Sequence, residues 1–236
     1  MTTTLKHIRE PGALLLTWQP SDESGAQRTR RVVGRLAVQD GVVSFRYLKG
    51  TDDFEHALAN GFRGYPAFRL DDKNQSVFVH GVMDSFLRRL PPRTREDFGD
   101  YLKLHRLPDP FDLSDIALLG YTGAKLPSDG FSLLPDFQTG DVPSDFITEI
   151  AGFRHYRSGT EGLSVGDVVT FDLAPENEVD PDAIAILHGG ETIGYVNRAM
   201  RSVFRSWLET RTVEARIERL NGKPGRPLVY LYVSVT

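Results

Sequence analysis

The carboxy-terminal part of the chain consists of short strand patterns separated by turn residues. Apolar and polar side chains alternate over Asp167–Leu173, as in a strand with one buried face. Ala183–Leu187 is apolar throughout, which is typical of a strand buried on both faces. Gly189-Gly190 then provides a hairpin turn into Thr192–Val196. Segments this short predict a compact β structure.

The rest of that part adds further strand patterns and one helix. The strand patterns are Phe146–Phe153, Val213–Leu220 and Leu228–Val235. Asn197–Thr210 predicts the helix, because its apolar residues, including Phe204 and Trp207, share one side. Many short strands with one helix over residues 145–236 predict a small SH3-like or OB-like β-barrel.

The first part of the chain begins with strand patterns. Asp40-Gly41 is a hairpin signal between the alternating segment Arg30–Val38 and Val42–Tyr47. Ala13–Trp18 and Ser76–His80 are predicted as further strands.

Helical patterns follow these strands. The predicted segments are Ser85–Leu90, Thr94–Arg106 and Leu113–Gly120. Thr94 and Asp97 are spaced as an N-cap pair, and Gly120 is suited to end the last helix. The first part is therefore predicted to be a mixed β-hairpin and helix domain, and the fold class of the chain to be α+β.

A connecting segment separates the two parts. Leu133–Asp145 carries Pro, Gly, Asp and Ser at short intervals and has little periodicity. The predicted organisation is a domain at residues 1–137, a linker at 138–144 and the barrel domain at 145–236.

Composition excludes several classes of protein. The chain has no cysteine, which excludes disulfides, thiolate zinc sites and a cysteine nucleophile and favours the cytoplasm. No segment reaches the run of about 18 apolar residues that a membrane helix needs. With 28 Lys and Arg against 32 Asp and Glu, the formal charge is −4. Any nucleic-acid binding must therefore come from a local site.

Catalytic motifs are absent from the sequence. It has no Gly-x-Ser-x-Gly, Walker loop or His-Glu-x-x-His, and its six histidines have no metal spacing. Four carboxylates could in principle bind a divalent cation, but their spacing does not fit an EF-hand. They are Glu176, Glu178, Asp180 and Asp182. We therefore predict no enzymatic activity, no catalytic residue, no cofactor and no metal.

Three segments of the carboxy-terminal part carry a family resemblance. Ile150-Ala-Gly-Phe-Arg-His-Tyr, Glu176-Asn-x-x-Asp-Pro-x-Ala-Ile and Ile193-Gly-Tyr-Val resemble the HIRAN domain, a small β-rich module. In that family the domain is associated with DNA repair and remodelling enzymes and binds single-stranded DNA ends. The resemblance implies a DNA-binding module in this part of the chain.

The resemblance also implies a set of site residues. HIRAN domains place a carboxylate near the terminal 3′ hydroxyl, planar side chains on bases and cations on phosphates. The matching positions are Arg154, His155, Tyr156, Asp180, Tyr195 and Arg198, and Arg201 and Arg205 are secondary phosphate contacts. Val179 stands where the family often has a second aromatic residue, so we expect a base to stack on one side only.

The chemistry of these residues fits the role, although several of them would also suit a purely structural role. An ionised carboxylate accepts a hydrogen bond from a hydroxyl and repels a phosphate, so Asp180 would distinguish a free end. Asp180 before Pro181 equally suits a residue that caps its own loop. Tyr156 equally suits a cover for the end of the barrel. Three arginines on one helix face are usually a solvated face.

The first part of the chain has a second resemblance. A hairpin, then Met83–Arg93, a helix and Leu118–Phe131 are similar to the amino-terminal subdomain of HipA-type toxin kinases, over Val32–Leu134. No kinase motif follows. In some systems a similar subdomain is a separate protein that restrains the kinase.

Two functions follow from these resemblances. The first is non-catalytic recognition of single-stranded DNA, preferably at a free 3′-OH end, in repair, replication or phage defence. The alternative is an antitoxin-like regulatory protein that docks a HipA-like kinase or another partner through residues 1–137. A membrane partner is not predicted.

Overall fold

The computed structural model describes residues 4–20, 29–71, 76–126, 129–156, 160–177, 180–223 and 226–236. The chain divides into two compact units. The amino-terminal unit is Glu10–Asp136, and the carboxy-terminal unit comprises Phe137–Thr236 and the described residues before Glu10. The structure is mixed α+β, and each unit contains one antiparallel sheet.

The amino-terminal unit is built on a four-stranded sheet. Its strands are β1 (Ala13–Trp18), β2 (Arg31–Gln39), β3 (Val42–Tyr47) and β4 (Phe131–Pro135), in the order β3-β2-β1-β4. The predicted hairpin between β2 and β3 is confirmed, since Asp40 and Gly41 have φ angles of 50° and 76°. Because β4 pairs with β1 along its length, the predicted connection is wrong in starting at Leu133.

The described residues of this unit form four helices. They are α1 (Asp52–Ala59), α2 (Val82–Leu87), α3 (Phe98–Leu104) and α4 (Asp115–Thr122). Of these, α1, α2 and α4 pack against the sheet. Gly123, with φ 74°, caps the end of α4, so the prediction that Gly120 ends it is wrong. Gly120 instead allows close packing, since an added Cβ would lie 2.7 Å from Leu14 Cδ2.

Other local features of this unit differ from the prediction, including α2, which was predicted at Ser85–Leu90. Helix α1, capped by the Thr51 side chain, was not predicted. Helix α3 begins after Asp97, so the prediction of Thr94 as its N-cap is wrong. The predicted strand at Ser76–His80 is reduced to a single bridge between Phe78 and Phe45. That bridge lies on the open edge of β3 and packs Phe78 into the aromatic core.

The carboxy-terminal unit contains a six-stranded sheet that curls. Its strands are β5 (Ser144–Glu149), β6 (Val168–Leu173), β7 (Ile184–His188), β8 (Glu191–Tyr195), β9 (Val213–Lys223) and β10 (Arg226–Val235), in the order β5-β10-β9-β6-β7-β8. Ala151, just after β5, pairs with Tyr195 of β8 through hydrogen bonds of 2.9 and 2.8 Å. The two edges of the sheet therefore meet at this bridge, as a barrel-like fold requires.

This unit has more helix than predicted. The predicted helix at Asn197–Thr210 is present as a 3₁₀ turn, Arg198–Met200, followed by α6 (Arg201–Thr210). A short helix α5 (Phe153–Tyr156) occupies the end of the predicted strand Phe146–Phe153. Gly152 precedes α5 with φ 73°, a left-handed conformation that turns the chain out of the strand.

The boundaries of the two units differ from the predicted domains. Asp145 is buried and accepts hydrogen bonds from the backbone of Lys6 (2.8 Å) and His7 (3.0 Å). These bonds join the described residues before Glu10 to the carboxy-terminal unit. The predicted linker also belongs to the carboxy-terminal unit. The ring centroids of Phe137 and Trp207 are 5.7 Å apart, and the Trp207 indole donates a hydrogen bond to Thr139 O.

No helix among the residues that the structure describes is long and apolar enough to cross a membrane.

Candidate functional site

The bridge between Ala151 and Tyr195 positions the first group of candidate residues. Gly194, next to Tyr195, has φ 148°, and an added Cβ would lie 2.4 Å from Ile150 Cγ2 and 2.6 Å from Ala151 O. Only glycine lets the two strands approach this closely. The bridge thus fixes Tyr195 beside helix α5, which carries Arg154, His155 and Tyr156.

Tyr156 and Tyr195 form an aromatic pair at this bridge. Their hydroxyl groups are hydrogen-bonded to each other, and their ring centroids are 5.6 Å apart at an interplanar angle of 68°. Burial, together with the contact to Tyr195, raises the pKa of Tyr156 to about 12. Tyr156 is nevertheless 43% exposed. Its ring therefore packs at the end of the barrel and still faces solvent.

Arg154 and His155 lie on the solvent side of helix α5. Both residues are exposed, whereas Phe153 before them is buried and anchors the helix. Within the described ranges, no hydrogen bond or ion pair engages the side chain of either residue. The Arg154 guanidinium can therefore meet an anion without first losing a described partner.

Asp180 forms the centre of a second group. Its side chain is 15% exposed and accepts from Arg198 Nη1 at 2.5 Å. Arg201 Nη1 donates to both carboxylate oxygens of Asp180. The backbone nitrogen of Asp182 also donates to Asp180 Oδ1 at 3.1 Å. Asp180 therefore caps its own loop, as the structural alternative predicted, and is also ion-paired with two of the candidate arginines.

A second carboxylate extends this group along the same helix. Asp182 Oδ1 lies 3.4 Å from Arg205 Nη2, and Asp182 Oδ2 lies 4.0 Å from Arg201 Nη2. We call the five residues the carboxylate–arginine cluster: Asp180, Asp182, Arg198, Arg201 and Arg205. Three guanidinium groups against two carboxylates leave the cluster with a formal charge of +1. The arginine face is therefore paired with acids rather than simply solvated.

The structure thus sorts the predicted site residues into two groups. Arg154, His155, Tyr156 and Tyr195 meet at the bridge. The other four predicted residues belong to the carboxylate–arginine cluster. Arg198 follows Tyr195 by three residues and connects the two groups along the chain. Glu178 and Val179 lie outside the described residues, and the expected one-sided stack on His155 or Tyr156 stays a prediction.

The acidic loop does not form a metal site within the described ranges. No group of three or more His, Asp or Glu side chains is arranged there to hold a metal ion. The described carboxylates of the loop that form ion pairs, Asp180 and Asp182, instead face guanidinium groups.

Two features of this unit were not predicted from the sequence. Asp182 was not chosen as a site residue, because no local pattern places it opposite Arg205, 23 residues further along the chain. Cross-strand stacks on β9 and β10 were also missed. Arg216 lies 4.3 Å from the Tyr232 ring centroid and Arg219 lies 4.4 Å from that of Tyr230. These contacts depend on strand register, which local patterns do not specify.

Comparison with known proteins places the curled sheet in a known class of module. The family model of the HIRAN domain matches residues 144–235, and this match confirms the predicted HIRAN domain. The crystal structure of the HIRAN domain of human HLTF is 16% identical, with a TM-score of 0.31. It covers 39% of this chain and 74% of that chain. No curated protein matches this sequence.

The match lies outside the amino-terminal unit. The resemblance of that unit to HipA-type kinases, and with it the docking of a kinase partner, stays a prediction.

Proposed function

We propose that the carboxy-terminal unit binds single-stranded DNA without catalysis, preferably at a free 3′-OH end. The HIRAN match over residues 144–235 supports a nucleic-acid-binding role. The observation that carries the proposal is the group at the bridge, where an exposed tyrosine ring and an exposed arginine share one short helix. Repair, replication or phage defence is the setting that we propose for this binding.

The group at the bridge would hold the bases and one phosphate. A base that stacks on Tyr156 or His155 gains about 1–3 kcal/mol, whatever its identity. Arg154 can donate two parallel hydrogen bonds to a phosphate. Tyr195 supports the Tyr156 ring through the hydroxyl contact and the edge-on packing of the two rings. This arrangement suits a ligand of any sequence.

The carboxylate–arginine cluster would recognise the end of the strand. Asp180 can accept a hydrogen bond from a terminal hydroxyl and would repel a terminal phosphate. Arg198 would contact the neighbouring backbone phosphate, and Arg201 and Arg205 would add secondary contacts. A net charge of +1 at the cluster favours the approach of a polyanion even though the whole chain has a charge of −4.

Fluorescence anisotropy with labelled oligonucleotides tests this function. Three ligands of equal length and composition would be titrated: a strand with a free 3′-OH, a strand with a 3′-phosphate and a closed circle. We expect the free 3′-OH strand to bind most tightly. Equal affinity for all three would contradict end recognition, and no binding to any of them would contradict the proposed function.

A further inference from the structure

The acceptor positions of Asp180 are fully used. A carboxylate offers about four lone-pair positions on its two oxygens. Oδ1 accepts from the Asp182 backbone nitrogen and from Arg201 Nη1. Oδ2 accepts from Arg198 Nη1 and from Arg201 Nη1. A 3′ hydroxyl can therefore bind this carboxylate only after one of these donors has left.

Arg201 is the donor best placed to leave. Its single nitrogen Nη1 occupies one position on each oxygen, so its departure frees one position on both oxygens at once. Its side chain is 28% exposed, compared with 20% for Arg198. Arg198 is also held in the 3₁₀ turn that joins β8 to α6. Losing Arg198 would free only one position.

We propose that Arg201 exchanges its contact with Asp180 for a DNA phosphate, and that the vacated carboxylate position accepts the terminal 3′ hydroxyl. This inference rests on the proposed function and makes Arg201 a specificity-determining residue. Phosphate binding and hydroxyl recognition become coupled, because the second requires the first. The exchange costs little free energy, because the partly exposed ion pair that is lost is weak and the new contact with the phosphate is also charge-assisted.

The same exchange explains why a blocked end would be rejected. A 3′-phosphate cannot donate a hydrogen bond in its ionised form and brings negative charge towards Asp180. It would draw Arg201 away and leave two anions facing each other. Recognition of the end therefore depends on which donor occupies the Asp180 carboxylate. The net positive charge of the cluster alone would not distinguish the two ends.

The test varies the charge of the last linkage and the terminal hydroxyl together. Four oligonucleotides are needed: phosphodiester or uncharged methylphosphonate at the final linkage, each ending in 3′-OH or 3′-deoxy. With the parent protein, the hydroxyl should improve affinity about tenfold on the phosphodiester strand, as expected for a hydrogen bond to a charged group. On the methylphosphonate strand this preference should fall to about twofold or less, because Arg201 then stays on Asp180.

Two variants complete the test. Arg201→Met cannot donate a hydrogen bond, so its preference for the 3′-OH should be the same on both linkages. Arg205→Met is the matched control from the same helix face, because Arg205 contacts Asp182 and no hydrogen bond to Asp180 joins it to the cluster centre. It should weaken all four ligands and retain the linkage dependence. Thermal unfolding checks that both variants are folded.

The outcomes separate the two proposals. Equal affinity of the parent protein for 3′-OH and 3′-deoxy phosphodiester strands would overturn both the end preference and the exchange. A hydroxyl preference that is the same on both linkages would overturn the exchange alone. Loss of the linkage dependence in Arg205→Met would also overturn it, because general positive charge would then be responsible.

Discussion

Two arginine–carboxylate contacts in this chain use the same chemical groups in different surroundings. In the amino-terminal unit, Arg89 donates two parallel hydrogen bonds of 2.8 Å to Asp129, and its side chain is only 4% exposed. Ala124 O and Phe131 O accept further hydrogen bonds from it. In the carboxy-terminal unit, Arg201 shares Asp180 with a second arginine and is 28% exposed.

The difference indicates which contact can be exchanged. Arg89 also lies 5.8 Å from the ring centroids of Tyr65 and Phe131, so water cannot easily replace its partners. A guanidinium buried in this way is expensive to leave unpaired. Arg201 has a second carboxylate, Asp182, within 4.0 Å and is partly exposed to solvent. The first contact therefore holds a fold together, and the second is suited to release its arginine.

The largest effect is expected from a substitution that breaks the buried contact between Arg89 and Asp129. Arg89→Met should lower the free energy of unfolding of the amino-terminal unit by about 3 kcal/mol, because Asp129 and two carbonyl groups lose the hydrogen bonds that the guanidinium donates. Urea unfolding with hydrogen-exchange mass spectrometry would measure the loss and assign it to Glu10–Asp136. Arg69→Met, at the largely exposed pair with Asp71, is the control and should leave stability almost unchanged. Equal effects of the two variants would contradict the comparison.

The next effect concerns a buried carboxylate that has hydrogen bonds in place of an arginine. Asp145→Asn should lower the free energy of unfolding of the carboxy-terminal unit by about 2 kcal/mol at pH 7, because its amide nitrogen cannot accept the hydrogen bonds of the donors around it. Burial alone would raise the pKa of Asp145. Hydrogen bonds from Ser234, from the Lys6 and His7 backbone and from Tyr232 outweigh burial and lower that pKa.

Because the pKa of Asp145 is lowered, the effect of this substitution on stability should depend on pH. Stability from a carboxyl group with a lowered folded-state pKa is present above its unfolded-state pKa of about 3.9 and is lost as the pH falls through the folded-state value. The difference between the parent protein and Asp145→Asn should therefore shrink below about pH 4. Fluorescence of the buried Trp207, recorded in a Trp18→Phe background, would follow unfolding of this unit. Asp172→Asn, at an exposed position of β6, should show no such difference.

The fold was more predictable than the contacts of the site, for a physical reason. The hairpin at Asp40-Gly41 and the turn at Gly189-Gly190 follow from the conformations of a few adjacent residues. Helix α1 has a capping residue but only two buried side chains, Phe54 and Ala57, so its apolar pattern was too short to recognise.

The site depends on residues that are distant in sequence. Residue types and a family resemblance selected Asp180, Arg198 and Arg201 as candidates. Their pairing across 18 and 21 residues required the fold of the carboxy-terminal unit. The bridge that places Tyr195 beside Tyr156 likewise joins residues 39 positions apart. Local sequence patterns do not specify contacts between residues so far apart in the chain. The sequence therefore could not show that every acceptor position of Asp180 is occupied.

A third substitution removes the carboxylate that Arg198 and Arg201 share. Asp180→Ala should abolish the preference for a 3′-OH over a 3′-phosphate end, a change of about tenfold in relative affinity. It should lower stability by less than about 1 kcal/mol, because the ion pairs lost are partly exposed. Anisotropy titrations with both ends, and urea unfolding, would measure the two effects. A retained preference would remove Asp180 from end recognition.

The fourth prediction concerns a cation with no described carboxylate partner. Arg154→Ala should weaken all single strands alike by severalfold, because a phosphate contact carries no information on sequence or end. The slope of log K against log salt concentration should become shallower by about 0.7, the value for one phosphate contact on a single strand. An unchanged slope would remove Arg154 from the interface. Lys103→Ala, an exposed cation of the amino-terminal unit, should leave both quantities unchanged.

The smallest expected effect separates the ring of Tyr156 from its hydroxyl group. Tyr156→Phe keeps the planar ring and loses only the hydrogen bond to Tyr195, so DNA affinity should change by less than about twofold. Tyr156→Ala removes the ring and should weaken binding about tenfold. Because burial and the contact to Tyr195 raise the pKa of Tyr156 to about 12, Tyr156→Phe should also bind DNA like the parent protein from pH 7 to about 10. Equal losses for Phe and Ala would show that the hydroxyl, rather than the stacked ring, contacts the strand.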